Sequence, residues 1–120
     1  EGYDNGLAHL IEAGADFYLM PSRFEPCGLN QLYGFRYGTL PIVHGVGGLN
    51  DTVEDMNGDS GNGFKINRLT PAELTSGINR ALKLYTSKGH LNDARQRAMK
   101  LNYSWTVPSQ SYQQLYHSHN

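Results

Sequence analysis

The segment PSRFEPCGLNQLYGFRYGTLPIV, residues 21–43, places an acidic side chain beside a glycine at the start of a helical pattern. Glu25 can act as a fixed hydrogen-bond acceptor, because an ionised carboxylate has several lone pairs and no donor. Gly28 allows a backbone to approach a ligand closely. Free N–H groups at a helix start favour phosphate or hydroxyl oxygens. These residue types predict a ligand at this turn.

A second glycine turn, HGVGGL at residues 44–49, also follows a short apolar run. Gly47 and Gly48 are the glycines of this turn that precede a further helical pattern. In parallel sheets, ligands bind outside the carboxyl ends of the strands, so two such loops on neighbouring strands share one edge. The residues alone predict a pocket for a phosphorylated or polyhydroxylated ligand. Tight packing at two glycine turns is the alternative explanation.

The surrounding elements alternate between short apolar runs and helical patterns. Buried strands are predicted at residues 17–20, 40–43 and 63–66, and helices at 3–14, 28–37, from 70 through 85, near 89–100 and from 104 onward. This alternation implies a parallel sheet covered by helices, which is the α/β class. Doubly wound sheets have about five or six strands. The chain is therefore predicted to form half of a Rossmann-like parallel-sheet domain.

Two packing expectations concern the helix at 28–37. Leu29, Leu32, Tyr33 and Tyr37 fall on one helical stripe, and Gly38 is expected to end the helix. Cys27, just before the helix, is expected to be a small buried residue that contributes through its backbone, because no base stands beside it in sequence to activate a thiolate.

Composition excludes several classes of function. The 120 residues carry 10 basic and 11 acidic side chains, a net charge of −1, with no basic stripe for nucleic acid. There is no apolar run long enough to span a membrane and no signal-peptide pattern. A single cysteine cannot form an internal disulfide, which favours a cytoplasmic setting. The first residue is Glu1 rather than methionine, which indicates a piece of a longer chain.

The segments PSRFEPCGL, YGTLPIV and GGLNDTV, at this spacing, resemble the glycogen/starch synthase family. That family consists of retaining glucosyltransferases that elongate α-1,4-glucan with ADP-glucose and have the GT-B fold of two Rossmann-like domains. The resemblance runs from EGYD to SYQQLY. It implies that residues 1–120 are a single fragment, the C-terminal nucleotide-sugar-binding domain, with the N-terminal catalytic domain absent.

The resemblance also implies roles for particular residues. Glu25 matches the catalytic glutamate that contacts the glucosyl hydroxyls and stabilises the positive charge developing on the sugar. Related families carry a second glutamate where this chain has Tyr33, and a tyrosine there is typical of the glycogen/starch synthase branch. The substrate-binding residues would be the stacking residue Tyr3, the backbone of Cys27, Gly28 and Leu29, the phosphate neighbour Asn30, and the sugar neighbours Gly47 and Gly48.

The implied partners are ADP-glucose, an α-glucan and the N-terminal domain of the same chain, without nucleic acid or membrane. The resemblance implies no cofactor and no metal beyond the nucleotide-sugar donor. It places the Lys-x-Gly-Gly loop, a catalytic histidine and the phosphate-neutralising arginine and lysine upstream of Glu1. Since those cations would stabilise the diphosphate leaving group, residues 1–120 alone are expected to be inactive.

Two alternatives stay open at this point. The first is a non-catalytic module that binds a nucleotide-sugar or a glucan without turnover. The second keeps the chemistry and changes the donor to UDP-glucose, because Tyr3 alone does not determine which base is bound.

Overall fold

Helices and strands alternate along the chain in the predicted order. The computed structural model describes residues 2–118. The elements are α1 (Asn5–Gly14), β1 (Phe17–Met20), α2 (Asn30–Tyr37), β2 (Leu40–His44), α3 (Gly47–Thr52), β3 (Phe64–Ile66), α4 (Pro71–Thr86), α5 (Lys88–Met99) and α6 (Thr106–His117).

The three strands form one parallel sheet in the order β1-β2-β3. Met20 at the end of β1 pairs with Val43 near the end of β2. Because the strands are parallel and nearly in register, the loops that follow β1 and β2 leave the sheet at the same edge. The predicted α/β class with a parallel sheet is confirmed.

The core lies on both faces of the sheet. Successive residues of a strand point to opposite faces, so Val43 packs into one cluster and Ile42 into the other. The larger cluster joins β2 to α2, α3 and α5, and the smaller one packs Ile42 and Phe64 against Ala81 of α4. Leu91, Ala94 and Ala98 recur at helical spacing along α5 and are buried in the larger cluster.

The helical stripe of Leu29, Leu32, Tyr33 and Tyr37 is only partly buried: Leu32 packs against the larger core cluster, and the other three side chains are exposed. Leu29, Tyr33 and Tyr37 are 57%, 43% and 42% exposed, and the buried residues of the helix are Gln31, Gly34 and Phe35. Gly34 lies where an added Cβ would be 3.2 Å from the carbonyl oxygen of Thr39, so the helix approaches the next turn closely on that side. This close packing selects the face that carries Phe35.

Strand β1 is less buried than its apolar sequence predicts. Leu19 is 45% exposed, because β1 is an edge strand of the sheet and pairs with β2 alone among the described strands. On α1 the apolar side chains of Leu7, Leu10 and Ile11 are also exposed. These residues leave uncovered apolar surface on α1 and at this side of the sheet.

The final helix, α6, contributes no buried side chain to the core. No residue of α6 that the structure describes is buried, and its exposed side chains include Val107, Tyr112 and Tyr116. Within residues 2–118, no helix has the length and apolar character needed to cross a membrane.

Candidate substrate-binding site

The loops after β1 and β2 touch each other through their backbones. The amide of Gly48 donates to the carbonyl oxygen of Glu25 at 3.2 Å. A Cβ added at Gly47 would lie 1.8 Å from that oxygen, and one at Gly48 would lie 2.0 Å from the carbonyl oxygen of Cys27. Only residues without a side chain allow this approach, so the glycines are required for the loops to meet.

The carboxylate of Glu25 is half-buried and loosely restrained in this loop. The hydroxyl of Ser22 donates to its Oε2 at 3.4 Å. His44, at the end of β2, has Nδ1 2.8 Å from the carbonyl oxygen of Ser22, so this nitrogen carries a hydrogen and donates. Among residues 2–118, no cationic side chain forms an ion pair with Glu25. The carboxylate is therefore available to a ligand.

A buried glutamine connects the two loops by hydrogen bonds on the core side. Gln31 is 1% exposed, and its Nε2 donates to the carbonyl oxygen of Gly28 at 2.9 Å and to Thr52 Oγ1 at 3.1 Å. Thr52 Oγ1 in turn donates to the carbonyl oxygen of Gly48 at 2.7 Å. No pattern in the sequence marked Gln31 as a buried residue, because helical periodicity assigns polar residues to the solvent face. Its position in the chain, between the glycine turns at Gly28 and at Gly47 and Gly48, is the one feature that could have pointed to it.

The start of α2 presents its backbone to this junction. Gly28 has φ +69°, a left-handed conformation that favours glycine, and no side chain caps the helix at Leu29. The first N–H groups of such a helix are suited to phosphate oxygens. The Cys27 side chain is exposed rather than buried as expected, because the turn directs it away from the core.

A second recess lies between α1 and α2, next to the start of α2. It is a cleft of about 270 Å³ whose lining includes Tyr3, His9, Glu12, Tyr18, Asn30 and Tyr33. Tyr3 is 88% exposed, and Asn30 donates from Nδ2 to the Tyr18 hydroxyl at 2.8 Å. The structure thus brings Tyr3 and Asn30 to one cleft. The loop junction holds Glu25, Cys27, Gly28, Gly47 and Gly48, and residues 28–30 connect the two regions.

Glu12 is a buried acidic residue of this cleft that the sequence analysis did not single out. Its Oε2 is enclosed and receives no hydrogen bond from the described residues. Burial raises the pKa of the Glu12 carboxyl, and the nearby His9 opposes this shift. The position falls within the helical pattern of α1 and has no neighbouring motif, so no sequence signal marked it.

Within residues 2–118, no three His, Cys, Asp or Glu side chains are grouped so that they could hold a metal ion. The described residues offer amides, hydroxyls and carboxylates at this edge, which can bind and orient an oxygen-rich ligand.

The parallel sheet covered by helices is a Rossmann-like α/β unit, and its two glycine turns and carboxylate lie at the carboxyl edge, where ligands bind in such sheets. The chain is a homologue of glycogen and starch synthases over a portion of their length. It is 51% identical over 116 residues to the glycogen synthase of Myxococcus xanthus, covering 97% of this chain and 24% of that protein. It is also 52% identical over 118 residues to the glycogen synthase of Marinobacter nauticus, and the match covers 96% of this chain and 24% of that protein.

A solved structure gives the same assignment. The catalytic domain of starch synthase IV from Arabidopsis thaliana, bound to ADP and acarbose, is 32% identical to this chain, with a TM-score of 0.86. The match covers 98% of this chain and 25% of the starch synthase chain. The chain thus spans about a quarter of the length of the curated relatives it matches. No family model matches the sequence.

The contact between the loops predicts the effect of adding one methyl group in the full-length protein. Gly48→Ala places a Cβ 2.0 Å from the Cys27 carbonyl oxygen, and the forced displacement should lower the free energy of unfolding by about 1–3 kcal/mol. Thermal unfolding measures the change. Gly89→Ala in α5 is the matched control, since a Cβ there meets no atom within 4 Å. Equal melting temperatures for the two variants would contradict the packing described here.

Proposed function

We propose that this chain is the donor-site portion of a glycogen synthase. In this proposal residues 1–120 belong to the C-terminal nucleotide-sugar-binding domain of a GT-B enzyme. The reaction is transfer of glucose from ADP-glucose to the 4-hydroxyl of an α-1,4-glucan, with retention at the anomeric carbon. Homology to glycogen synthases over nearly the whole chain supports this assignment, as does a structural relative that binds ADP and acarbose.

The observation that carries the proposal is the hydrogen bond from the Gly48 amide to the Glu25 carbonyl oxygen. It places a free carboxylate and an uncapped helix start at one edge of the sheet. A sugar diphosphate needs this combination, because its phosphate favours amide N–H groups and its hydroxyls can donate to a carboxylate. Tight packing alone would not require Glu25 to lack an ion pair among the described residues.

The proposed roles follow from these positions. Glu25 binds glucosyl hydroxyls and stabilises the oxocarbenium-like charge in the transition state. Gly47 and Gly48 lie beside the sugar. The distal phosphate is held at the start of α2, by the backbone of Cys27, Gly28 and Leu29 and by the side chain of Asn30. Tyr3, at the mouth of the neighbouring cleft, stacks on the adenine.

The rest of the proposed enzyme would cover the exposed apolar surface. Leu19 on β1 and Leu7, Leu10 and Ile11 on α1 form a side of the fold without a neighbour among the described residues. A strand and helix of the same domain, with the N-terminal domain beyond, would bury this surface and supply the cations for the diphosphate. The proposed setting is the cytoplasm, with neither metal nor further cofactor.

Glu25→Gln in the full-length protein tests the catalytic role. The neutral amide cannot stabilise the developing positive charge, so the rate of glucose transfer should fall by about 100-fold. ADP carries no glucose, so its dissociation constant should change less than about three-fold, well under the ten-fold that 1.4 kcal/mol represents. The control is Glu54→Gln, at an exposed acid outside the loop junction. A Glu25→Gln enzyme with wild-type turnover would refute this role.

A second test concerns the isolated chain. Residues 1–120 alone should transfer no radiolabelled glucose from ADP-glucose to glycogen, because the proposed cationic clamp is outside them. The full-length protein, assayed in parallel, should transfer it. Turnover by the isolated chain would contradict this expectation, whereas binding without turnover by the full-length protein would favour a non-catalytic module.

A further inference from the structure

The segment that leads from β1 to Glu25 is weakly anchored to the rest of the protein. It receives one hydrogen bond from outside the loop, in which Nδ1 of His44 donates to the carbonyl oxygen of Ser22 at 2.8 Å. Among the described residues, no other hydrogen bond joins residues 21–24 to the remainder of the chain. Phe24 is 80% exposed, so packing adds little restraint at that position. The path of the chain into Glu25 therefore depends on His44.

The register of the sheet explains why His44 makes this contact. Met20, the last residue of β1, pairs with Val43, whereas His44 pairs with Ile66 of β3 alone. On the side of β1, His44 therefore lies level with the first residues of the loop rather than with a strand. A carbonyl oxygen carries no hydrogen, so Nδ1 of His44 is the donor.

Ser22 transmits this restraint to the carboxylate of Glu25. Its hydroxyl donates to Glu25 Oε2 at 3.4 Å, a long bond that holds the carboxylate only as well as Ser22 itself is held. The backbone of Glu25 has a separate anchor, because its carbonyl oxygen accepts from the Gly48 amide. Without His44 the backbone anchor would remain, and the side-chain anchor would lose its support.

A carboxylate stabilises developing positive charge best when it is in place before the charge forms. Such electrostatic stabilisation depends on preorganised groups, and a misplacement of about 1 Å can cost about 100-fold in rate. A hydrogen bond that serves only the fold would change the stability of the protein and leave the rate unchanged. The rate of glucose transfer therefore distinguishes the two roles of His44.

We propose that His44 is a positioning residue for Glu25 and that it acts through the backbone of Ser22. This inference rests on the proposed function, since it assumes that Glu25 stabilises the charge on the transferred glucose. His44 supplies one donor, Nδ1–H, to the loop. Its loss should slow turnover without weakening the binding of the nucleotide.

The test measures kcat and KM for ADP-glucose on the full-length protein, together with the dissociation constant of ADP. In His44→Leu, kcat should fall by about ten-fold, while KM and the ADP dissociation constant should change by less than about three-fold. His44→Asn should restore kcat to within about three-fold of the wild type, because its amide can place an N–H near the position of Nδ1. His44→Gln should stay slow, because its longer side chain carries the N–H further from the backbone.

Ser22→Ala tests the path from His44 to the carboxylate. This change removes the hydroxyl at Glu25 Oε2 and should lower kcat by a factor similar to that of His44→Leu. The double variant should be no slower than the slower single variant, because both changes release the same carboxylate. Factors that multiply would show that His44 and Ser22 act independently, and they would overturn the inference.

His90→Leu is the matched control. His90 is exposed on α5, outside the two loops, and its Nδ1 lies 2.9 Å from the hydroxyl of Ser87. Its removal should leave kcat at the wild-type value. Thermal unfolding of every variant shows which ones keep the fold, and if His44→Leu does not, His44→Asn against His44→Gln gives the comparison.

Two results would count against the inference in different ways. Wild-type kcat in His44→Leu and His44→Gln, with or without a lower melting temperature, would mean that His44 serves only the fold. That result would overturn the inference and leave the proposed function intact. A wild-type protein that transfers no glucose would overturn the proposed function and the inference with it.

Discussion

The hydrogen bond from the amide of Gly48 to the carbonyl oxygen of Glu25 joins the two loops on which the candidate site depends. It requires two conditions at once. Parallel pairing of β1 with β2 brings the loops to one edge of the sheet, and glycine at positions 47 and 48 leaves room for the opposing carbonyl groups. Gln31 and Thr52 then hold the loops from the buried side. A side chain at either glycine would occupy the space of the other loop, so the site and the fold share one steric constraint.

The carboxylate of Glu25 and the start of α2 are brought together with a second loop by the fold. Glu25 lies in the loop junction, and the helix that begins a few residues later has no side-chain cap, so its first N–H groups favour phosphate oxygens. In the proposed function the sugar lies at the carboxylate and the phosphate at these amides. The sequence contains Glu25 and the pair Gly47 and Gly48 more than twenty residues apart, and only the parallel pairing of β1 with β2 places them side by side.

Local signals in the sequence predicted the elements well and their buried faces less well. Short apolar runs identified all three strands of the sheet, and Gly38 with φ +77° ends α2 as expected. The side chains of Leu29, Tyr33 and Tyr37 are exposed although their spacing is helical, because tyrosine is amphipathic and periodicity alone does not tell a core face from an exposed one. Glu12 and Gln31 were missed because burial of a polar side chain depends on tertiary contacts. The exposure of Leu19 depends on which strands are present beside β1.

A crystal structure of the full-length protein with ADP-glucose bound would test the central claim most directly. The account predicts glucose hydroxyls within hydrogen-bond distance of the Glu25 carboxylate, the distal phosphate against the amides of residues 28–30, and the adenine beside Tyr3. A nucleotide bound away from this edge of the sheet would contradict it. So would a Glu25 carboxylate paired with a structural cation from elsewhere in the protein.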